Sequence, residues 1–243
     1  MNLEGKNVLV TGGSSGVGLA IASSLAAKGC KLVICARREE VLRAAVESTH
    51  ATLPMHWKTC DVSDRASVTG LFKWLIEENR EPDILVNCAG SNVANRSMAD
   101  IDPEDFERIM AINATGTFNM MHAALPAMRR RKDGLIINIV SIAGRRIFQA
   151  SGVSYTASKF AQAAIGLFVN FETANHGVRV TNIYPGEVNT PHLDKRRVVP
   201  LPEKRAQMLQ PEDLGHLVAC IAQFPSRAII SDLVITPSYS PQP

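Results

Sequence analysis

The chain has 243 residues, 46% of them hydrophobic, with 26 basic and 23 acidic side chains and a formal net charge of +3. That is enough apolar material for one large α/β domain or two small ones, and the near balance of charge gives no general pull toward nucleic acid or a membrane surface. No apolar run approaches the ~18 residues that a membrane helix requires, and a strand starts too near the N-terminus to leave room for a signal peptide, so a soluble cytoplasmic protein is expected.

The first element is the run "NVLVTG", which stops at Thr11 and gives way to four glycines and two serines between Gly12 and Gly18. A helical pattern follows from about Val17 to Lys28 and ends at Gly29. "KLVICA" is the next strand, and Val41, Leu42, Ala45 and Val46 mark a second helix. Val68, Leu71, Phe72, Leu75 and Ile76 recur at helical spacing before the strand "DILVNCAG". Asp102, Pro103, Glu104 and Asp105 read as a helix cap, a first-turn proline and an acidic first turn. "LIINIVS" and "VRVTNIYPG" complete the set of short apolar runs without polar alternation, as expected for parallel strands covered on both faces. This βαβ alternation predicts an α/β fold, a doubly wound parallel sheet in a three-layer αβα sandwich. No linker divides the chain, so residues 1–243 are expected to form one domain.

In such a sheet a ligand sits beyond the carboxyl ends of the strands, where the first helix aims free N–H groups at it; an anion is the natural guest. Gly12 can make the tight turn, Gly16 can let backbone approach a pyrophosphate, Gly18 can let the helix pack closely, and Ser14 and Ser15 add hydroxyl donors. The five cysteines (Cys30, Cys35, Cys60, Cys88, Cys220) are odd in number and scattered, as reduced thiols would be. His50, His56, His122, His176, His192 and His216 include no pair within four residues and no acidic ligand cluster, so no metal is expected.

The spacing T-G-x-x-x-G-x-G resembles the short-chain dehydrogenase/reductase family, and further motifs follow in that family's order over about residues 5–190. "CDVSD" resembles the pair that holds adenine (Asp61, Val62), "NCAG" the turn after the fourth strand (Asn87, Ala89, Gly90), and Ile112–Asn113 the helix asparagine. "IVSIAG" brings Ser141, "YTASK" brings Tyr155 and Lys159, and "YPGEVNT" brings Pro185, Gly186, Val188 and Thr190. Singly these are ordinary: Ser141 could be a polar strand end, Asn113 a helix asparagine bonded to backbone, Tyr155 a core aromatic. Their joint order is what the resemblance rests on.

The resemblance implies a Rossmann fold and a catalytic set of Asn113, Ser141, Tyr155 and Lys159. Tyr155 would pass a proton to a carbonyl oxygen or take one from an alcohol, and Ser141 would hydrogen-bond that oxygen. Lys159 would lower the tyrosine's pKa by about three units and bind the nicotinamide ribose, and Asn113 would hold a relay water. Cofactor contacts are expected from Thr11, Gly12, Ser14, Ser15, Gly16, Val17, Gly18, Arg37, Asp61, Val62, Asn87, Ala89, Gly90, Tyr155, Lys159, Pro185, Gly186, Val188 and Thr190.

NAD-preferring dinucleotide folds place an acid near the end of the second strand, yet this chain has Cys35, Ala36, Arg37 and Arg38 there. Arg37 can pair with a 2′-phosphate, so NADP(H) is expected over NAD(H). Ser141 and Tyr155 stand 14 apart, one more than in many relatives, which bears on the wall at residues 145–151. A short, basic substrate loop is expected at about residues 187–210, and the basic run Arg129–Lys132 reads as a solvated helix end, with carrier docking as the alternative. Apolar residues surround the helices near 103–128 and 154–175, which predicts a homodimer or homotetramer through them. Two functions stay open: a ketoreductase-like oxidoreductase acting on a small to medium carbonyl or secondary alcohol (a 3-oxoacyl or 3-hydroxy acid compound among the candidates), and a non-catalytic dinucleotide-sensing protein.

Overall fold

A computed structural model describes residues 2–49, 54–195 and 198–240. His50, Arg196 and Arg197, and with them part of the expected substrate loop, lie outside the described residues. Seven strands, β1 (Asn7–Thr11), β2 (Lys31–Ala36), β3 (His56–Thr59), β4 (Ile84–Asn87), β5 (Gly134–Ile139), β6 (Val178–Pro185) and β7 (Asp232–Ile235), form one parallel sheet in the order 3-2-1-4-5-6-7. The order reverses direction between β1 and β4, so a crevice opens beyond their carboxyl ends.

Alternate strand residues feed two cores. Val8, Val10, Leu32 and Ile34 pack with Ile21 and Leu25 of α1 (Gly16–Ala26), Leu42 of α2 (Glu39–Ser48) and Leu214 and Val218 of a late helix at 211–223. Leu9, Val33 and Leu85 face the other side, against Leu71 and Leu75 of α3 (Arg65–Glu77) and Met120, Met121 and Met128 of a helix at 116–131. The sandwich therefore has three layers, as the pattern predicts.

α4 (Pro103–Met110) starts as its sequence indicates, Asp102 Oδ1 accepting from Glu104 N at 2.9 Å. A π-helical turn, Ala111–Thr115, joins it to α5 (Gly116–Arg131). Beyond β5 come α6 (Val153–Thr173), α7 (Pro202–Gln207) and α8 (Pro211–Gln223). Two differences from the sequence reading are physical. α1 ends at Ala26, earlier than expected, with Gly29 at φ +81° turning the chain. The edge strand β3 is "HWKT", half-buried and polar, so it carries none of the continuous apolar signal of the central strands.

Three buried asparagines align across adjacent strands. Asn87 Nδ2 donates to Asn138 Oδ1 (2.9 Å), and Asn138 Nδ2 donates to Asn182 Oδ1 (3.0 Å). α6 crosses this row at Gly166, where a Cβ would lie 2.1 Å from Asn182 Oδ1. The glycine thus fixes how closely α6, and the side chains it carries, approach the strand ends.

Candidate active site

The glycine turn is built by contact rather than by flexibility alone. Gly12 has φ +65°, and a Cβ there would lie 2.9 Å from Ala89 Cα; one on Gly18 would lie 2.3 Å from Gly12 O. Thr11 Oγ1 accepts from the N–H groups of Cys88 and Ala89, both at 3.0 Å, and so ties the turn after β1 to the turn after β4. Ser15 caps α1 with extended backbone and no side-chain capping bond, and Gly16, Val17 and Gly18 line the cleft. The first N–H groups of α1 are thereby left for a ligand.

The cleft has a volume of about 590 Å³ and runs along the carboxyl ends of the strands. One end is walled by Ala36, Arg37, Arg38, Asp61 and Val62. Arg37 and Arg38 are exposed and form no ion pair among the described residues. Asp61 is held from within its own turn, Oδ1 accepting from Ser63 N (2.9 Å) and Oγ (2.6 Å). These features fit an adenosine phosphate: helix N–H groups and two guanidinium groups that have no partner among the described residues, and Ala36 rather than a carboxylate at the end of β2.

Ser141, Tyr155 and Lys159 meet at the other end. Tyr155 and Lys159 lie one turn apart on α6, with the ammonium 5.6 Å from the centre of the tyrosine ring. Lys159 is only 3% exposed, and its Nζ donates to Ile139 O (3.0 Å) and Gln162 Oε1 (2.7 Å). Burial pushes its pKa down to about 8. The nearby Cys88 thiol, which burial pushes up to about 12, opposes that shift weakly. Ser141 Oγ accepts from Ala143 N at 3.1 Å, so its proton stays available to a partner in the cleft.

Asn113 stands behind this wall, fully buried in the π-turn. Its Oδ1 accepts from Ser91 N (2.8 Å), its Nδ2 donates to Ser91 O (3.0 Å) and Ser158 Oγ (2.9 Å), and its carbonyl accepts from Thr117 Oγ1 (2.9 Å). Of the other expected cofactor contacts, Gly12, Ser14, Ser15, Gly16, Ala89, Gly90, Pro185, Val188 and Thr190 line the cleft. Thr11, Asn87 and Gly186 do not: Thr11 organises the two turns, Asn87 belongs to the buried row, and Gly186 N donates to Ile235 O at 2.8 Å.

The longer Ser141–Tyr155 spacing is taken up by a 3₁₀ turn, Gln149–Ser151, and by Gly152 at φ +80°. Asn92 Nδ2 donates to Ser151 O (3.0 Å) and Arg96 Nη1 to Ala150 O (2.8 Å), pinning that wall to the loop after β4. In the basic run, Arg129 pairs with Glu172 (3.4 Å), Arg130 with Glu81 (3.5 Å), and Arg131 donates to Pro82 O (2.7 Å). Three of its four charges are therefore engaged within the chain. All five cysteines are free thiols. Among the described residues no cluster of three or more His, Cys, Asp or Glu could hold a metal ion, and no helix is long and apolar enough to cross a membrane.

Sequence reading passed over Gln162, Thr117 and Ser158, which bond to the named site residues. The available signal was positional: Gln162 is three residues after Lys159 and Thr117 four after Asn113, polar groups on inward helix faces.

A family model described as short chain dehydrogenase matches residues 6–198. The chain is 36% identical over 246 residues to glycine betaine reductase of Emericella nidulans, covering 98% of this chain and only 19% of that protein's length. It is 30% identical over 248 residues to the NADP-dependent 3-hydroxy acid dehydrogenase of Schizosaccharomyces pombe, covering 98% of this chain and 94% of the relative. Among solved structures, the closed form of serine dehydrogenase complexed with NADP+ superposes with a TM-score of 0.87 at 30% identity, covering 97% of this chain and 96% of that one.

Proposed function

The chain belongs to the short-chain dehydrogenase/reductase family of oxidoreductases, and from that premise we propose that it is an NADP(H)-preferring enzyme interconverting a carbonyl and a secondary alcohol on a small to medium substrate. The observation that carries this reading is the convergence of Ser141, Tyr155 and a desolvated Lys159 at one end of the cleft whose other end is the glycine turn. A bound nicotinamide would supply or accept the hydride. Tyr155 gives its phenolic proton to the carbonyl oxygen in reduction and takes it back in oxidation. The Ser141 hydroxyl donates to the same oxygen and stabilises the charge that develops there. Lys159, charged and held out of water, favours the phenolate and leaves one donor for a ribose hydroxyl.

Cofactor preference rests on Arg37 and Arg38, which have no carboxylate partner among the described residues and stand beside Ala36. The NADP-bound neighbour and the NADP-dependent relative point the same way. For assembly, Phe118, Phe160, Leu167, Phe168 and Phe171 lie exposed on α5 and α6, the faces expected to pair in a homodimer or homotetramer. The free thiols agree with a cytoplasmic location.

The test is a panel of 3-oxoacyl thioesters, 3-hydroxy acids and simple ketones, followed by NADPH absorbance. Turnover of at least one carbonyl with NADPH is expected. Tight NADPH binding with no turnover across the panel would instead identify a dinucleotide sensor.

A further inference from the structure

Lys159 stands with Ser141 and Tyr155 in the lining of the cleft, and its ammonium has three N–H bonds to place. One goes to Ile139 O and one to Gln162 Oε1, the shorter of the two at 2.7 Å. The third has no acceptor among the described residues, and Gly90 lies close by, where a Cβ would stand 3.7 Å from Nζ. Gln162 is fully buried, and its amide cannot turn over. Thr117 Oγ1 spends its hydrogen on Asn113 O (2.9 Å), so toward Gln162 it can only accept; it takes Nε2–H at 3.0 Å and so directs Oε1 at the ammonium. Ser158 closes the ring, accepting from Asn113 Nδ2 and donating to Tyr155 O at 2.8 Å.

We infer that Gln162 is a positioning residue for the reaction proposed above: through the Thr117-anchored amide it holds the Lys159 ammonium at a fixed place beside Tyr155, with one donor turned to the cleft. A neutral acceptor suits that task. It stabilises the charged amine without cancelling the positive field that the tyrosine feels, which a carboxylate in the same place would do. Gln162 touches neither substrate nor the reacting atoms, so its effect passes through Lys159.

Among the described residues His192 also lines the cleft, and the titratable groups on the elements packed against the site are neutral or engaged with other partners. Cys88, behind the ammonium, stays neutral through the working range because burial raises its pKa to about 12. On the β6 side Tyr184 is hydrogen-bonded to Asp232 and stacked under Arg145, and burial raises it to about 12 as well. α4 contributes the exposed Asp105–Arg108 pair, and α5 contributes His122 stacked on Phe118.

The chain has three tyrosines, so the phenolate absorbance of the cofactor-free protein can be followed against pH, and subtraction of the Tyr155→Phe trace isolates Tyr155. The inference rests on the proposed role of Tyr155 and Lys159, but this readout needs no turnover. Gln162→Glu, isosteric and expected to fold, should raise the Tyr155 midpoint by about one unit, a tenfold loss of phenolate at a fixed pH below it. Gln162→Met, which removes the acceptor, and Thr117→Val, which frees the amide to turn, should raise it too. A midpoint unchanged in Gln162→Glu and in the other folded variants, with only melting temperature affected, would overturn the inference and leave Gln162 a packing residue. A shifted midpoint in a protein that turns over nothing on the carbonyl panel would uphold it while refuting the proposed enzyme.

Discussion

Replacing Lys159 by Met, which keeps the length of the side chain and removes its charge, should change how stability depends on pH. In the folded protein the ammonium has a pKa of about 8, against about 10.4 for a lysine in an unfolded chain. Burial is the cause, so the charged form is the disfavoured one. Below pH 8 both states hold the proton and the folded state carries the whole penalty. Between pH 8 and about 10.4 the folded protein releases its proton while the unfolded chain keeps it, so stability rises with pH across that window. At about 1.4 kcal/mol per unit, the span corresponds to roughly 3 kcal/mol. Urea unfolding of the cofactor-free wild type and Lys159→Met, from pH 7 to 10.5, gives the difference in stability at each pH, and groups common to both cancel. The difference should move by about 3 kcal/mol in favour of wild type as the pH rises. A flat difference would show that Lys159 is not desolvated, and the electrostatic basis of the site would be lost.

Ala36→Asp places a carboxylate beside Arg37 where a 2′-phosphate would sit, and should weaken NADPH on the order of a hundredfold while changing NADH little, as read by fluorescence titration; a wild type that already prefers NADH refutes the assignment. Gly18→Ala puts a Cβ 2.3 Å from Gly12 O, so α1 and the turn must part, with an expected loss of about 1–3 kcal/mol in denaturant unfolding and a larger loss of cofactor affinity. Unchanged values for both would contradict the close packing described. Phe168 is 67% exposed and Phe171 83%; Phe168→Glu should shift the assembly toward monomer by light scattering, and a wild type that is monomeric at micromolar concentration removes the basis for the proposed interface.

The sequence disclosed most where one physical constraint fixed both residue type and spacing. The central strands are buried on both faces and therefore continuously apolar, and the glycine turn must admit backbone at Ala89 and Gly12 O, so both were legible. β3 was not, because an edge strand of His56, Trp57, Lys58 and Thr59 is half-solvated and carries no such pattern. Of the site, the groups that face the cleft could be read from motifs: Ser141, Tyr155 and Lys159. Those that act from behind could not be placed in the same way. Thr11 and Asn87 were expected among the cofactor contacts and Asn113 as the holder of a relay water; their hydrogen bonds run to Cys88 and Ala89, to Asn138, and to Ser91 and Ser158. Gln162 and Thr117 went unnoticed, since a helix pattern shows that they face inward but not what they meet across the gap between α5 and α6.

The proton-transfer role of Tyr155 is the claim on which the functional account stands, and Tyr155→Phe isolates it by removing one oxygen while keeping the ring. With a carbonyl that the wild type reduces, NADPH affinity should stay within about a factor of three, since the glycine turn and Arg37 are untouched, while turnover falls by at least the ~10²- to 10⁴-fold that general acid catalysis contributes. Near wild-type turnover in Tyr155→Phe, with the cofactor bound as before, would contradict the account.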